Sequence, residues 1–147
     1  MNLKDETDGF ASWAAMRHAG TLPESEFVHG AGEWECDYPF WSEWYAAVES
    51  LLSSGAAPSI EDVERVLFAL ARDNEDETIL GMLELYPATV LPWTERAVTH
   101  PDFEVRWQFA VLLGRLGERE LLEFFLKDRE EYVRRRATHA LQAIGKP

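Results

Sequence analysis

The 147-residue sequence has a single cysteine, Cys36, which is too few for an internal disulfide or a cysteine-based zinc site. It has no apolar run of about 18 residues, the length that a membrane-spanning helix needs. Its start, MNLKDETDGF, lacks the apolar core of a secretory signal. These absences favour a cytoplasmic protein with no membrane partner.

Basic residues are also scarce. The chain has 14 basic and 27 acidic residues, for a net charge of −13. Residues 1–100 hold 19 of the acidic residues but only five of the basic ones. Such a surface repels phosphate backbones, so we expect no nucleic-acid partner. The same charge would attract a basic protein and speed the encounter with it.

Catalytic motifs are missing as well. The sequence has no dinucleotide-binding or phosphate-binding glycine loop, no HExxH pattern and no GxSxG pattern. Cys36 lies between Glu35 and Asp37, whose charges disfavour a reactive thiolate. The acidic run 73–77 lacks the glycine and the distant glutamate of a calcium loop, so we interpret it as a solvated turn. We therefore predict no catalytic residue, no metal, no cofactor and no enzymatic activity. A pocket with perturbed carboxylates would reopen the enzyme alternative.

What the sequence does contain is helical periodicity. Apolar residues recur at the i, i+3, i+4 spacing, and no segment alternates like a strand for more than four residues. Ser59 and Asp102 are predicted N-caps, and either Asn74 or Asp76 is predicted to cap the helix between them. The pattern predicts an all-α fold of about seven or eight helices, with helical stripes over 8–19, 41–52, 63–70, 79–85, 89–99, 105–116, 118–127 and 133–144.

The last third of the chain repeats itself. A shift of 28 residues aligns VRWQFAVLLGRLG (105–117) with VRRRATHALQAIG (133–145). The shift pairs Arg106 with Arg134 and Gly117 with Gly145. Helix–turn–helix units of this length cannot bury their apolar faces alone and stack into solenoids.

At these residues the chain resembles the HEAT-like repeat family. The resemblance is carried by Asp128, Val133, Arg134, Ala137, Ala140, Leu141, Ile144 and Gly145, and by Asp102, Val105, Arg106, Ala110, Leu113, Leu116 and Gly117 in the preceding unit. It implies a short α-α superhelix in which aspartate and arginine link neighbouring repeats. It is good over 100–145, weaker over 58–99 and absent over 1–56. We therefore predict one domain over 1–147, with a divergent N-terminal cap (1–56), a long acidic loop (20–38) and helical repeats (57–147).

The acidic loop alternates carboxylates with large aromatic side chains in the segment EWECDYPFW. Aromatic anchors surrounded by charge are typical of binding hot spots. Equally, such a loop could cover the exposed first helix of a solenoid, and both readings stay open. The predicted partner-binding residues are Glu24, Glu26, Glu33, Trp34, Glu35, Asp37 and Tyr38, with Asp73, Glu75, Asp76 and Glu77 as a second patch.

Small size, acidity and missing catalytic groups favour a stoichiometric protein-binding inhibitor. The most concrete form is a bacterial immunity protein that neutralises a basic, nuclease-type toxin by occupying its phosphate-binding surface. The resemblance adds to this, since small HEAT-like proteins occur among toxin-immunity partners. The alternative is a HEAT-like adaptor or scaffold that binds a peptide or helix on its concave face. The sequence leaves the oligomeric state open.

Overall fold

The computed structural model describes residues 2–23 and 31–145, with the backbone alone for residues 31–33. All regular structure within these residues is helical, which confirms the all-α prediction. The α-helices are α1 (Leu3–His18), α2 (Trp41–Ser53), α3 (Ile60–Arg72), α4 (Thr78–Glu84), α5 (Pro87–Val90), α6 (Thr94–Val98), α7 (Phe103–Arg115), α8 (Arg119–Leu122) and α9 (Glu131–Ile144). Short 3-10 helices occupy Ala31–Asp37, Leu91–Trp93 and Glu123–Lys127.

The chain forms two compact units, an N-terminal unit (Met1–Ile79) and a C-terminal unit (Leu80–Pro147). This division differs from the predicted one after residue 56, which assigned α3 to the repeats. The reason is that α3 packs against α1. In addition, Tyr45 on α2 donates a hydrogen bond of 2.7 Å to Asp73 at the end of α3. The first three helices therefore belong together.

Aromatic rings make up much of the core of the N-terminal unit. Phe10 on α1 lies 4.9 Å, between ring centroids, from the fully buried Trp44 on α2. Phe10 also lies 5.9 Å from Phe68 on α3, so one ring contacts all three helices. Side-chain caps fix where two of these helices begin, because Asn2 accepts from the Asp5 amide and Ser59, as predicted, from the Asp62 amide.

The predicted acidic loop over 20–38 is partly helical. Residues Ala31–Asp37 form a 3-10 helix, and Tyr38 continues from it with its amide bonded to the Glu35 carbonyl. An ion pair of 2.5 Å between Arg17 and Asp37 ties this segment to the end of α1. The segment is therefore held against α1 by a buried charge pair, which the sequence pattern did not indicate.

In the C-terminal unit α7 packs along α9. Asp102 caps α7 by accepting from the Glu104 amide, as predicted. Gly117, at φ +72°, turns the chain after α7 in a left-handed conformation that favours glycine. No helix in the described part of the chain combines the length and apolarity needed to cross a membrane.

The 28-residue repeat is visible in the hydrogen bonds. Arg106 on α7 donates to the carbonyl of His100 at 2.7 Å, and Arg134 on α9 donates to the carbonyl of Asp128 at 2.6 Å. Both arginines reach back six residues, and the two pairs are related by the same shift that aligns their helices. Arg106 also forms an ion pair with Asp128 at 2.8 Å. A side chain on the helix α7 of one repeat therefore binds the turn before the helix α9 of the next.

The close approach of α7 and α9 depends on Gly114. A Cβ at this position would lie 2.6 Å from the Cβ of Ala140 and 3.4 Å from its Cα. We expect Gly114→Ala to lower the free energy of unfolding by about 1–2 kcal/mol, because overpacking outweighs the gain in helix propensity. Urea denaturation followed by circular dichroism measures this. The matched control is Gly81→Ala on α4, which has open space around it and should stabilise by up to about 1 kcal/mol. Equal effects of the two substitutions would contradict the close approach.

Candidate functional site

The structure turns part of the predicted acidic and aromatic cluster inward. Glu24 and Glu26 lie outside the described residues, as does the side chain of Glu33. Asp37 is buried in its ion pair with Arg17, and Tyr38 is only 5% exposed. These two residues therefore do not belong to an accessible surface, which corrects their assignment as partner contacts. Trp34 and Glu35 are half-buried.

The aromatic side chains of this segment serve the core. Trp34 stacks on Trp13 at 6.1 Å and meets the His18 ring at 4.7 Å. Tyr38 packs edge-on against Phe10 at 5.0 Å. Large rings are hydrophobic, and packing against α1 removes much of their apolar surface from water. The segment was interpreted either as a binding hot spot or as a cover over the first helix. For Trp34 and Tyr38 these contacts favour the cover.

The second predicted patch, residues 73–77, also contains both buried and exposed side chains. Asp73 is 4% exposed and accepts hydrogen bonds from the Tyr45 hydroxyl and from the Ile79 amide at 2.8 Å. It therefore caps α4, a role that we predicted for Asn74 or Asp76. Glu75 and Asp76 are exposed, whereas Glu77 is half-buried with a left-handed φ of 55°.

The buried Asp73 carboxyl is electrostatically perturbed. Burial raises the pKa of Asp73 to about 6, against the lowering effect of its hydrogen bonds from Ile79 and Tyr45. Burial also raises the pKa of Tyr45, and the hydrogen bond to Asp73 adds to this. The buried Asp73 therefore stabilises the turn in which Glu75 and Asp76 are exposed.

A second acidic group lies where α1 faces the start of α2. Glu6 is 4% exposed, and its Oε1 has no hydrogen-bond partner among the residues that the structure describes. A Cβ at Gly9, one turn further along α1, would lie 3.3 Å from the Tyr38 hydroxyl oxygen. Burial and then the charges of Glu6 and Glu43 raise the pKa of Tyr38 to about 12. The hydroxyl of Tyr38 therefore lies within the field of both carboxylates.

Sequence reasoning missed this group, which we call the Glu6–Glu43 site and which comprises Glu6, Tyr38, Phe40 and Glu43. The predicted first helix began at residue 8, whereas α1 begins at Leu3, so Glu6 was left outside the helix. An amphipathic pattern extended to Leu3 would have placed Glu6 on the same buried stripe as Phe10.

The four basic residues of the N-terminal unit are all engaged within it. Arg72 lies 5.4 Å from the centre of the Phe68 ring, and the other three form ion pairs, namely Lys4–Asp8, Arg17–Asp37 and Arg65–Asp62. Several exposed carboxylates of the unit form no ion pair with a described residue; these are Asp5, Glu43, Glu61, Glu75 and Asp76. The accessible charge of this unit is therefore strongly negative.

The C-terminal unit offers a different surface. A groove of about 280 Å³ in this unit is lined by residues of α7 and α9, with an apolar wall that includes Val111, Ala143 and Ile144. Arg136 lines the same groove, and its guanidinium lies 4.7 Å from the centre of the Trp107 ring. This groove fits an apolar side chain more readily than a hydrated ion.

Among the described residues, no group of three or more His, Cys, Asp or Glu side chains is arranged to hold a metal ion. No protein-family model, curated protein or solved structure matches this chain.

Proposed function

We propose that this chain is a stoichiometric inhibitor that binds a basic protein, in the manner of a bacterial immunity protein acting on a nuclease-type toxin in the cytoplasm. The observation that carries the proposal is the charge balance of the N-terminal unit. Its basic side chains are engaged internally, while exposed carboxylates remain for a partner.

The chemistry of a nuclease explains why such a surface would inhibit it. A nuclease holds the phosphates of its substrate with lysine and arginine, and a surface of spaced carboxylates competes for the same groups. Electrostatic attraction also speeds the encounter of oppositely charged proteins. The C-terminal unit, with its HEAT-like repeat, is proposed as the scaffold part of the inhibitor.

Affinity capture followed by a salt titration tests this function. The purified chain is used to capture partners from its native cells, and the affinity of the captured protein is measured by calorimetry in 50 and 500 mM salt, with a nuclease assay of the complex. We expect a basic nuclease that is inhibited at a 1:1 ratio and bound at least about tenfold more weakly at high salt.

Charge variants sharpen the same experiment. The double substitution Glu75→Gln with Asp76→Asn should lower the affinity by about fivefold, mainly through slower association. The control is Glu120→Gln, an exposed carboxylate of the C-terminal unit, which should have little effect. Binding that is insensitive to salt and to the Glu75→Gln, Asp76→Asn double substitution would exclude the electrostatic inhibitor.

The groove of the C-terminal unit favours a second candidate function, an adaptor that binds an apolar peptide or helix. For this function the decisive variant is Ala143→Asp, which places a charge on the apolar wall. Loss of binding in Ala143→Asp with no dependence on salt would identify the adaptor instead of the inhibitor.

A further inference from the structure

The Glu6–Glu43 site combines an exposed aromatic ring with two carboxylates. Phe40 is 53% exposed, which is unusual for so large an apolar side chain. Its ring packs edge-on against Tyr38 at a centroid distance of 5.8 Å. Glu43 is exposed and lies in the first turn of α2, three residues after Phe40, the residue that precedes this helix.

One carboxylate oxygen of Glu6, the buried acidic residue of the site, has no hydrogen-bond donor among the described residues. Glu6 is more than nine-tenths buried, and its Oε1 accepts no hydrogen bond from a described residue. A buried carboxylate oxygen without a donor is costly, and native proteins seldom retain one without a purpose. A cation brought to this site from outside would offset that cost.

We propose that the Glu6–Glu43 site receives one arginine side chain of the basic partner. This inference rests on the proposed function and names the contact by which the partner would be recognised. The guanidinium lies over the exposed ring of Phe40 with the exposed Glu43 as its counter-charge, while the buried Glu6 attracts it only through its field.

Arginine fits this site better than other ligands. Its planar guanidinium stacks on aromatic rings and is weakly hydrated, so it enters a partly buried site at a lower desolvation cost than a lysine ammonium does. An anion would be repelled by the two carboxylates. A metal ion would need a set of ligands that the described residues do not provide.

Nuclear magnetic resonance of the full, ¹⁵N-labelled chain tests the site with N-acetyl-arginine amide as the probe. We expect its amide shift changes to centre on Glu6, Tyr38, Phe40 and Glu43. N-acetyl-lysine amide should bind more weakly, and N-acetyl-glutamine amide should cause no comparable changes. Changes of equal size at all exposed carboxylates, or changes centred elsewhere, would overturn the site.

Substitutions of exposed residues give the matched comparison. We expect Glu43→Gln to raise the dissociation constant of the probe up to about fivefold and Phe40→Ala to raise it about threefold. Glu61→Gln removes an exposed carboxylate from α3 in the same unit and should change it less than twofold. Glu6→Gln keeps the size of the buried side chain. It should raise the dissociation constant of the probe without lowering the stability of the free chain. Equal effects of Glu43→Gln and Glu61→Gln would show diffuse attraction and refute the site.

The site and the proposed function can fail separately. If the probe binds as expected but Glu43→Gln leaves the affinity for a captured basic partner unchanged, the partner does not use this site. The inhibitor function is unaffected by that result. If the probe binds here but the partners captured are not basic and bind independently of salt, the proposed function fails and the arginine-binding chemistry stands.

Discussion

Replacing Asp128 by alanine is expected to lower the free energy of unfolding by about 3–5 kcal/mol. The side chains of Asp128 and Arg106 are 5% and 3% exposed, and the guanidinium donates to the carboxylate through Nε at 2.8 Å and through Nη2 at 3.3 Å. Removing the carboxylate leaves a buried guanidinium with its charge uncompensated. Asp128 also accepts from the Glu130 amide just before α9, and that bond is lost as well.

Urea denaturation followed by circular dichroism measures this loss. The matched control is Glu131→Ala, which breaks an ion pair with Arg135 in which both side chains are more than half exposed. Exposed pairs contribute little, so we expect a change below about 1 kcal/mol. A loss in Asp128→Ala no larger than in this control would show that the buried pair does not hold the two repeats together.

The second large effect is the pH dependence of stability that Asp73 confers. The pKa of Asp73 in the folded chain is about 6, above its ordinary value of 3.8. The folded state therefore binds this proton more tightly than the unfolded state does. The contribution to stability is fully present below about pH 4 and is lost as the pH rises through 6. At about 1.4 kcal/mol per pKa unit, the loss by pH 7 is about 3 kcal/mol.

Asparagine at position 73 isolates this effect. Asp73→Asn keeps an oxygen that accepts from the Ile79 amide but removes the ionisable group. The unfolding free energy of the wild type minus that of Asp73→Asn should fall by about 2.5 kcal/mol between pH 4 and pH 7. Tryptophan fluorescence reports on it, because four of the six tryptophans lie in the N-terminal unit.

The control for Asp73 lies in the same turn. Asp76 is exposed, so the corresponding difference for Asp76→Asn should vary little with pH. A flat difference for Asp73→Asn, or one that rises with pH, would contradict the raised pKa of Asp73. The result bears on the proposed function, because Asp73 holds the turn that presents Glu75 and Asp76.

The two halves of the chain contribute different things to the proposed inhibitor. The 28-residue repeat lies in the C-terminal unit, whose charge is nearly balanced. The accessible negative charge lies in the N-terminal unit, which shows no such repeat. Fold and proposed binding chemistry are therefore separate properties of this molecule, as is common when sites are built onto general scaffolds.

Local sequence patterns located the longer helices and several of their ends. Ser59 and Asp102 mark the starts of α3 and α7, because a cap acts on amides only two or three residues away. The predicted helices over 89–99 and 118–127 are instead divided into short α and 3-10 helices, and α1 begins before its predicted start. The 28-residue repeat was also readable, since both arginines make the same contact six residues back. Information of this kind is contained within a few residues of the chain.

The accessibility of the candidate binding residues could not be read in this way. A carboxylate in an acidic segment looks the same in sequence whether it faces solvent, as Glu75 does, or a distant partner, as Asp37 faces Arg17. The sequence by itself determined the helices, the repeat and the excess of acidic residues. Only the tertiary structure decided which carboxylates are buried and that Tyr38 packs between Phe10 and Phe40. Burial depends on contacts between residues far apart in the chain, and no local pattern records them.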